Sequence, residues 1–145
     1  MTYIMRILCL DIGTKRIGIA ASDPFGWTAQ GLKVIERQNN EKTFEEIFNL
    51  CSELKVEKIV VGIALDENSE IGPAAKKVKA FADNLEKYLK EKKYNVPLEF
   101  WDERYSTKEA EERLIEADVS RKKRKRVIDK MAAVVILEDY LKSHD

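Results

Sequence analysis

The stretch Arg6 to Asp23, RILCLDIGTKRIGIAASD, limits what this chain can fold into more than any other. An apolar run, Ile7-Leu8-Cys9-Leu10, ends in Asp11. A turn with Gly13, Lys15 and Arg16 follows, and a second apolar run, Ile17 to Ala21, leads to Asp23. Two short apolar runs around a glycine-containing turn read as a β-hairpin. A carboxylate that closes a buried strand is costly if nothing compensates it, and a bound cation is one such compensation. The rest of the chain is therefore read for a sheet and helices that carry further carboxylates to Asp11.

Beyond the hairpin, Pro24-Phe25-Gly26-Trp27 is a turn, and Gly31 to Glu36 reads as a third strand of an antiparallel meander. Asn40 or Thr43 caps a helix reaching about Leu54, with Phe44, Ile47, Phe48, Cys51 and Leu54 on one face. Lys58 to Ile63 is a β-branched run expected as a buried central strand. A polar loop from Asp66 to Gly72 precedes Pro73, which suits the first turn of a helix running to about Lys93. Leu98 to Trp101 forms a strand ending in Asp102-Glu103-Arg104. Ser106-Thr107-Lys108-Glu109 matches a capping box. Asp118 to Arg126 is expected as a polar, basic link, and Val127 to about Leu141 as a buried final helix. The order βββ-α-β-α-β-α-α implies an α/β fold: one mixed five-stranded sheet with helices on both faces. Strands 1 to 3 are antiparallel, and right-handed crossovers make strands 1, 4 and 5 parallel and adjacent.

With 145 residues the chain is read as a single domain spanning 1–145. Hydrophobic content of 44% beside 36% charged residues fits a globular protein and excludes a disordered one. The formal net charge is zero, so a nucleic-acid surface has to come from local clustering. His144 is the only histidine, which sets aside histidine-rich metal sites and Ser-His-Asp chemistry. A metal site must use oxygen ligands, and these favour Mg²⁺ or Mn²⁺. Cys9 and Cys51 lack CxxC neighbours and read as buried free thiols in a reducing compartment. No segment approaches the ~20 apolar residues of a membrane helix, and the N-terminus lacks a signal-peptide layout. The expectation is a cytoplasmic protein.

Acidic residues interrupt or end apolar elements at Asp11, at Asp102/Glu103 and at Asp129. Each alone has a bland explanation: a turn former, a surface pair with Arg104, a favourable charge at a helix N-terminus. Together they suggest more. Asp11 and Asp102/Glu103 end strands expected to be parallel, so they share the edge at which open α/β sheets bind ligands. Strand alternation turns only one of Asp102 and Glu103 inward. Asp129 shares a helix face with Ala132, Ala133 and Ile136, small enough at the alanines for close approach to the sheet. Converging carboxylates repel one another unless cations sit between them. Two metals about 4 Å apart can activate a water and stabilise the leaving oxygen of a phosphodiester.

The run Arg121-Lys122-Lys123-Arg124-Lys125-Arg126 contains no apolar residue. A solvated charge run is the commoner outcome, yet its place just before Asp129 makes a basic rim beside an acidic centre. That arrangement suits a phosphate backbone passing over metal ions. Lys15, Arg16 and Arg104 join the same rim. Trp27 and Tyr105 flank the site loops, where packing is the common role for an aromatic and base stacking the functional one.

Four ordered motifs carry a family resemblance: LDIGTKRIGIAASD, the GPAA after the fourth strand, DERYSTKEAE, and RKKRKRVIDKMAAVVILEDYL. In this order, across nearly the whole chain, they resemble the YqgF (RuvX-like) family. The resemblance implies a ribonuclease H-like three-layer α/β/α fold related to the RuvC resolvase, and a nuclease acting on pre-16S rRNA or on Holliday junctions. It implies Asp11, Glu103 and Asp129 as the catalytic, metal-binding carboxylates, with Asp102 as the alternative to Glu103. Its partners are structured RNA or branched DNA, handled by a monomer or, for a resolvase, a symmetric homodimer. The family's Gly-Leu-Pro-Leu-Asn is Gly62-Ile63-Ala64-Leu65-Asp66 here. Two other classes compete. A binding module with a vestigial site would bind nucleic acid or protein without cleaving. An ATP-dependent phosphotransferase is suggested by DIGTKRIG, but it requires a second similar domain and a second phosphate motif, and neither is found.

Overall fold

The computed structural model describes residues 5–65, 68, 70–102 and 121–143, the stretch 121–130 as backbone only. The expected hairpin is β1 (Ile7–Ile12) and β2 (Arg16–Ser22), followed by β3 (Ala29–Glu36), which starts two residues before the expected Gly31. Helix α1 (Asn40–Leu54), strand β4 (Lys58–Ile63), helix α2 (Pro73–Glu91), strand β5 (Leu98–Asp102) and helix α3 (Arg121–Ser143) complete the described chain. The helix expected at Ser106 lies outside the described residues.

One five-stranded sheet has the order β3-β2-β1-β4-β5. β1 pairs antiparallel with β2 and parallel with β4, and β4 pairs parallel with β5. The central strands are apolar on both faces because both are covered. Leu8, Leu10, Ile59 and Val61 pack with Phe44, Ile47, Phe81 and Leu85 of α1 and α2. Ile7, Cys9, Ala20 and Val60 pack with Ala133, Ile136, Leu137 and Tyr140 of α3 on the other face. Three layers result, as expected. None of the described helices is long and apolar enough to cross a membrane.

Two boundaries depart from expectation. The cap of α1 is Asn39, whose side-chain oxygen accepts from the Lys42 N–H at 2.9 Å, rather than Asn40 or Thr43. Thr43 is buried instead, and its hydroxyl accepts from the Gln38 N–H. α3 begins at Arg121, not Val127, so the basic run is helix and not a link. Lysine and arginine are good helix formers even where no apolar stripe announces the helix. Asp129 consequently sits in the third turn of α3, beyond the reach of the N-terminal dipole.

Candidate active site

β1, β4 and β5 run the same way, so their carboxyl ends share one edge of the sheet. Asp11 is the fifth residue of β1 and is half-buried. Its face follows from its neighbours. Ile7 and Cys9 belong to the α3-side core, whereas Leu8, Leu10 and Ile12 belong to the α1/α2 side. Asp11 has the parity of Cys9 and stands on the α3 face.

The same parity resolves the end of β5. Leu10 pairs with Val61, and Val61 with Phe100. One residue on, Gly62 pairs with Trp101, which packs into the α3-side core. The Trp101 indole donates to the Asp139 carboxylate at 2.8 Å and meets the Tyr140 ring edge-on at 5.3 Å. Asp102, opposite Ile63, therefore takes the α1/α2 face. Asp102 as the alternative inward carboxylate is thus not on Asp11's side of the sheet. Glu103 and Arg104 lie outside the described residues, as do the side chains of Asp129 and of Arg121 to Arg126. Among the described residues no three acidic, cysteine or histidine side chains gather as a metal site.

Glycine flanks Asp11 on both sides. Gly18 of β2 is its register partner, and Gly62 of β4 follows the Leu10–Val61 pair. The α3 face beside this carboxylate therefore carries no side chain on either neighbouring strand. Glycine inside a strand often marks a place where a ligand or another backbone comes close. The signal stood in the sequence, as glycines breaking the runs Arg-Ile-Gly-Ile-Ala and Val-Val-Gly-Ile, but each read only as part of an apolar strand.

The cations of the hairpin turn differ. Lys15 is exposed, while Arg16 lies 4.0 Å from Glu36 across the β2–β3 pair. Trp27 is 73% exposed and stacks on Phe25 at 5.2 Å, so it is not a core-packing residue. It occupies the β2–β3 turn, at the edge where β1 begins, and so stands away from Asp11.

That far edge holds α3 to the sheet. The Tyr140 hydroxyl donates to the Glu99 carboxylate at 2.6 Å and accepts from the Lys58 ammonium, which pairs with Glu99. Burial would lower the Lys58 pKa, but the bonds to Glu99 and Tyr140 outweigh it and raise the value. Burial and the Glu99 bond raise that of Tyr140. Since Lys58 and Glu99 lie at the beginnings of β4 and β5, the end of α3 is anchored at the amino edge. Its first turns run toward the carboxyl edge.

A three-layer α/β/α molecule with sheet order 3-2-1-4-5, parallel through 1-4-5, has the ribonuclease H-like fold of the RuvC-type resolvases. Thermus thermophilus RuvC in complex with a Holliday junction substrate superposes with a TM-score of 0.59 at 12% identity, covering 97% of this chain and 95% of that one. The Fowlpox virus resolvase in complex with junction DNA gives 0.55 at 12% identity, covering 97% and 99%. The sequence narrows this to a family. The model of "RuvX: Holliday junction resolvase" matches residues 5–143, and the chain belongs to that family. A Syntrophomonas wolfei protein named "Putative pre-16S rRNA nuclease" is 52% identical over 137 residues, 94% of each chain. A Listeria monocytogenes protein of the same name is 50% identical over 139 residues, 94% of this chain and 97% of its own.

Proposed function

We propose that the chain is a divalent-metal-dependent endonuclease that hydrolyses phosphodiester bonds, with pre-16S rRNA as substrate and Asp11, Glu103 and Asp129 as the carboxylates that hold the ions. The observation that carries this reading is the glycine-flanked Asp11 on the α3 face of the carboxyl edge. Glu103 is two residues after Trp101 in sequence, and Trp101 stands on Asp11's side of the sheet. Asp129 precedes Tyr140 by three turns, about 16 Å of helix axis. Asp11 lies four residues beyond the Ile7–Lys58 pair, about 13 Å of strand. Helix and strand thus span comparable lengths from the Tyr140 anchor toward the same edge.

The donor set is all oxygen and suits Mg²⁺ or Mn²⁺. When bound, such ions lower the pKa of an attacking water and offset charge on the leaving oxygen. The chain's own part is to hold three carboxylates on one face, keep bulk away from Asp11, and steer phosphates with the basic first turns of α3, Arg121 to Arg126, assisted by Lys15, Arg16 and Arg104. The names of the close relatives favour RNA.

Precursor 16S rRNA and a four-way DNA junction, each incubated with and without Mn²⁺, test the proposal. Metal-dependent cleavage of the precursor is expected, and Asp11→Asn should abolish it while the fold survives. Cleavage of the junction alone would shift the reading to a resolvase. Binding without any metal-dependent cleavage would indicate a non-catalytic module. Parental turnover in Asp11→Asn would remove Asp11 from the chemistry.

A further inference from the structure

On the α1/α2 side of the same edge, a cleft of about 610 Å³ separates the β1–β2 turn from the first turns of α2. Gly13 and Thr14 line it from the turn, Ala74 and Lys77 from the helix, and Arg37 from the end of β3. Its described lining residues include two cations and no acid, and the first turn of α2 carries no carboxylate. In a chain whose formal net charge is zero, this pair of cations is a local excess that favours an anion between them.

Arg37 is held in place before any ligand arrives. Its Nη1 donates to the Gly13 carbonyl at 2.8 Å, its backbone N–H donates to the Lys15 carbonyl at 2.8 Å, and its guanidinium carbon lies 4.6 Å from the centroid of the Phe81 ring. One nitrogen of the fork is thus spent on Gly13, and the fork geometry that matches phosphate oxygens is already oriented. Lys77 is exposed and forms no ion pair among the described residues, so its ammonium can serve as a mobile second charge. Gly13 is two residues past Asp11, about 7 Å of chain. A strand crossing the sheet edge from the α3 side to the α2 side can place one phosphate at Asp11 and a neighbour in the cleft.

We propose that this cleft is a backbone-phosphate subsite, with Arg37 and Lys77 as its ligands, for the nucleic-acid strand cleaved beside Asp11. The inference rests on the endonuclease reading and deepens it. Substrate would be gripped from both sides of the sheet edge, by the basic first turns of α3 and by this cleft. Both grips read phosphates and carry no base preference.

Binding of a labelled precursor 16S rRNA fragment and of a four-way DNA junction is measured in EDTA across a salt series. The proteins are the parent, Lys77→Ala, Lys77→Glu, Arg37→Lys and, as a reference on the other face, Arg124→Glu. Lys77→Ala should weaken binding about fivefold and lower the salt slope by about one. Lys77→Glu should weaken it further, and Arg37→Lys should weaken it while keeping charge, because the bidentate fork is lost. In cleavage, Lys77→Ala should raise KM and leave kcat within about twofold. If Arg124→Glu weakens binding and Lys77→Glu leaves affinity and slope unchanged, the cleft is not a subsite and the endonuclease reading stands. A fall in kcat with unchanged KM and slope would equally overturn the subsite. A parent that binds neither nucleic acid would overturn both readings.

Discussion

The Trp101 indole N–H donates to the Asp139 carboxylate at 2.8 Å, and this bond between β5 and α3 sets the phase of the strand. With Trp101 on the α3 face, Asp102 must take the other. Under the proposed reading, Glu103 is a metal-binding carboxylate and Asp102 is not. Glu103→Gln is expected to reduce metal-dependent cleavage by about 10²-fold or more, as the loss of a charge-stabilising group does. Asp102→Asn should stay within a few-fold of the parent. Single-turnover cleavage at saturating Mn²⁺ compares the two. The reverse ranking would assign the metal-binding role to Asp102 and overturn the assignment of Glu103.

Gly13 closes the hairpin turn beside Asp11. Its N–H donates to the Arg16 carbonyl at 2.8 Å, and a Cβ at this position would stand 2.8 Å from that same oxygen. The obstacle is backbone, so Gly13→Ala must open the turn. A loss of about 1–3 kcal/mol is expected in urea unfolding. Cleavage should fall by about tenfold or more, because Asp11, the proposed metal-binding carboxylate, is two residues away and small displacements of such a group are costly. Gly72 is the internal comparison. Nothing lies within 4 Å of a Cβ there, and Gly72→Ala should be nearly neutral in both measurements.

Where periodicity and turn chemistry agreed, the sequence was readable. The hairpin around Gly13, the apolar run at Lys58–Ile63 and the Pro73 helix start all lie within a residue of expectation. The start of α3 was not readable, because six consecutive cations carry helix propensity but no apolar period. The phase of β5 was hidden for a different reason. Glu99 faces the buried α3 side, where Lys58 and Tyr140 satisfy it, so polarity did not report which face is covered. Asp11 was legible as a candidate from its strand-end position, but the glycines that clear space around it come from two other strands. Only the register brings them together.

Trp27 and Phe25 form an exposed stack, 73% and 46% accessible, at the edge remote from Asp11. Neither ring belongs to a buried core cluster. Trp27→Ala should therefore change stability by less than about 1 kcal/mol and leave cleavage at the parental rate. Urea midpoints and initial rates measured together decide this. A drop in rate at unchanged stability would place the turn in substrate contact.

Cys51 gives the fold a distinct alkaline signature. It is fully buried at 0% exposure, and burial pushes its thiol from 9.0 up to about 12. The folded state thus holds the thiol proton over a range in which the unfolded chain releases it. The corresponding stability is intact below pH 9 and is lost as pH rises toward 12, with a limiting slope of about 1.4 kcal/mol per pH unit for one proton. Lys58, Tyr94 and Tyr140 are raised too, from 10.5, 10.0 and 10.0, and raised values weaken the fold in the same direction but from higher pH. The interval from pH 9 to 10 therefore lies below the onset for these three groups. Cys51→Ala should cost about 1–2 kcal/mol at pH 7 through the small cavity it leaves, yet flatten the decline between pH 9 and 10. Urea unfolding at half-unit pH steps measures both effects. A decline in Cys51→Ala as steep as the parent's would assign the alkaline loss to another group.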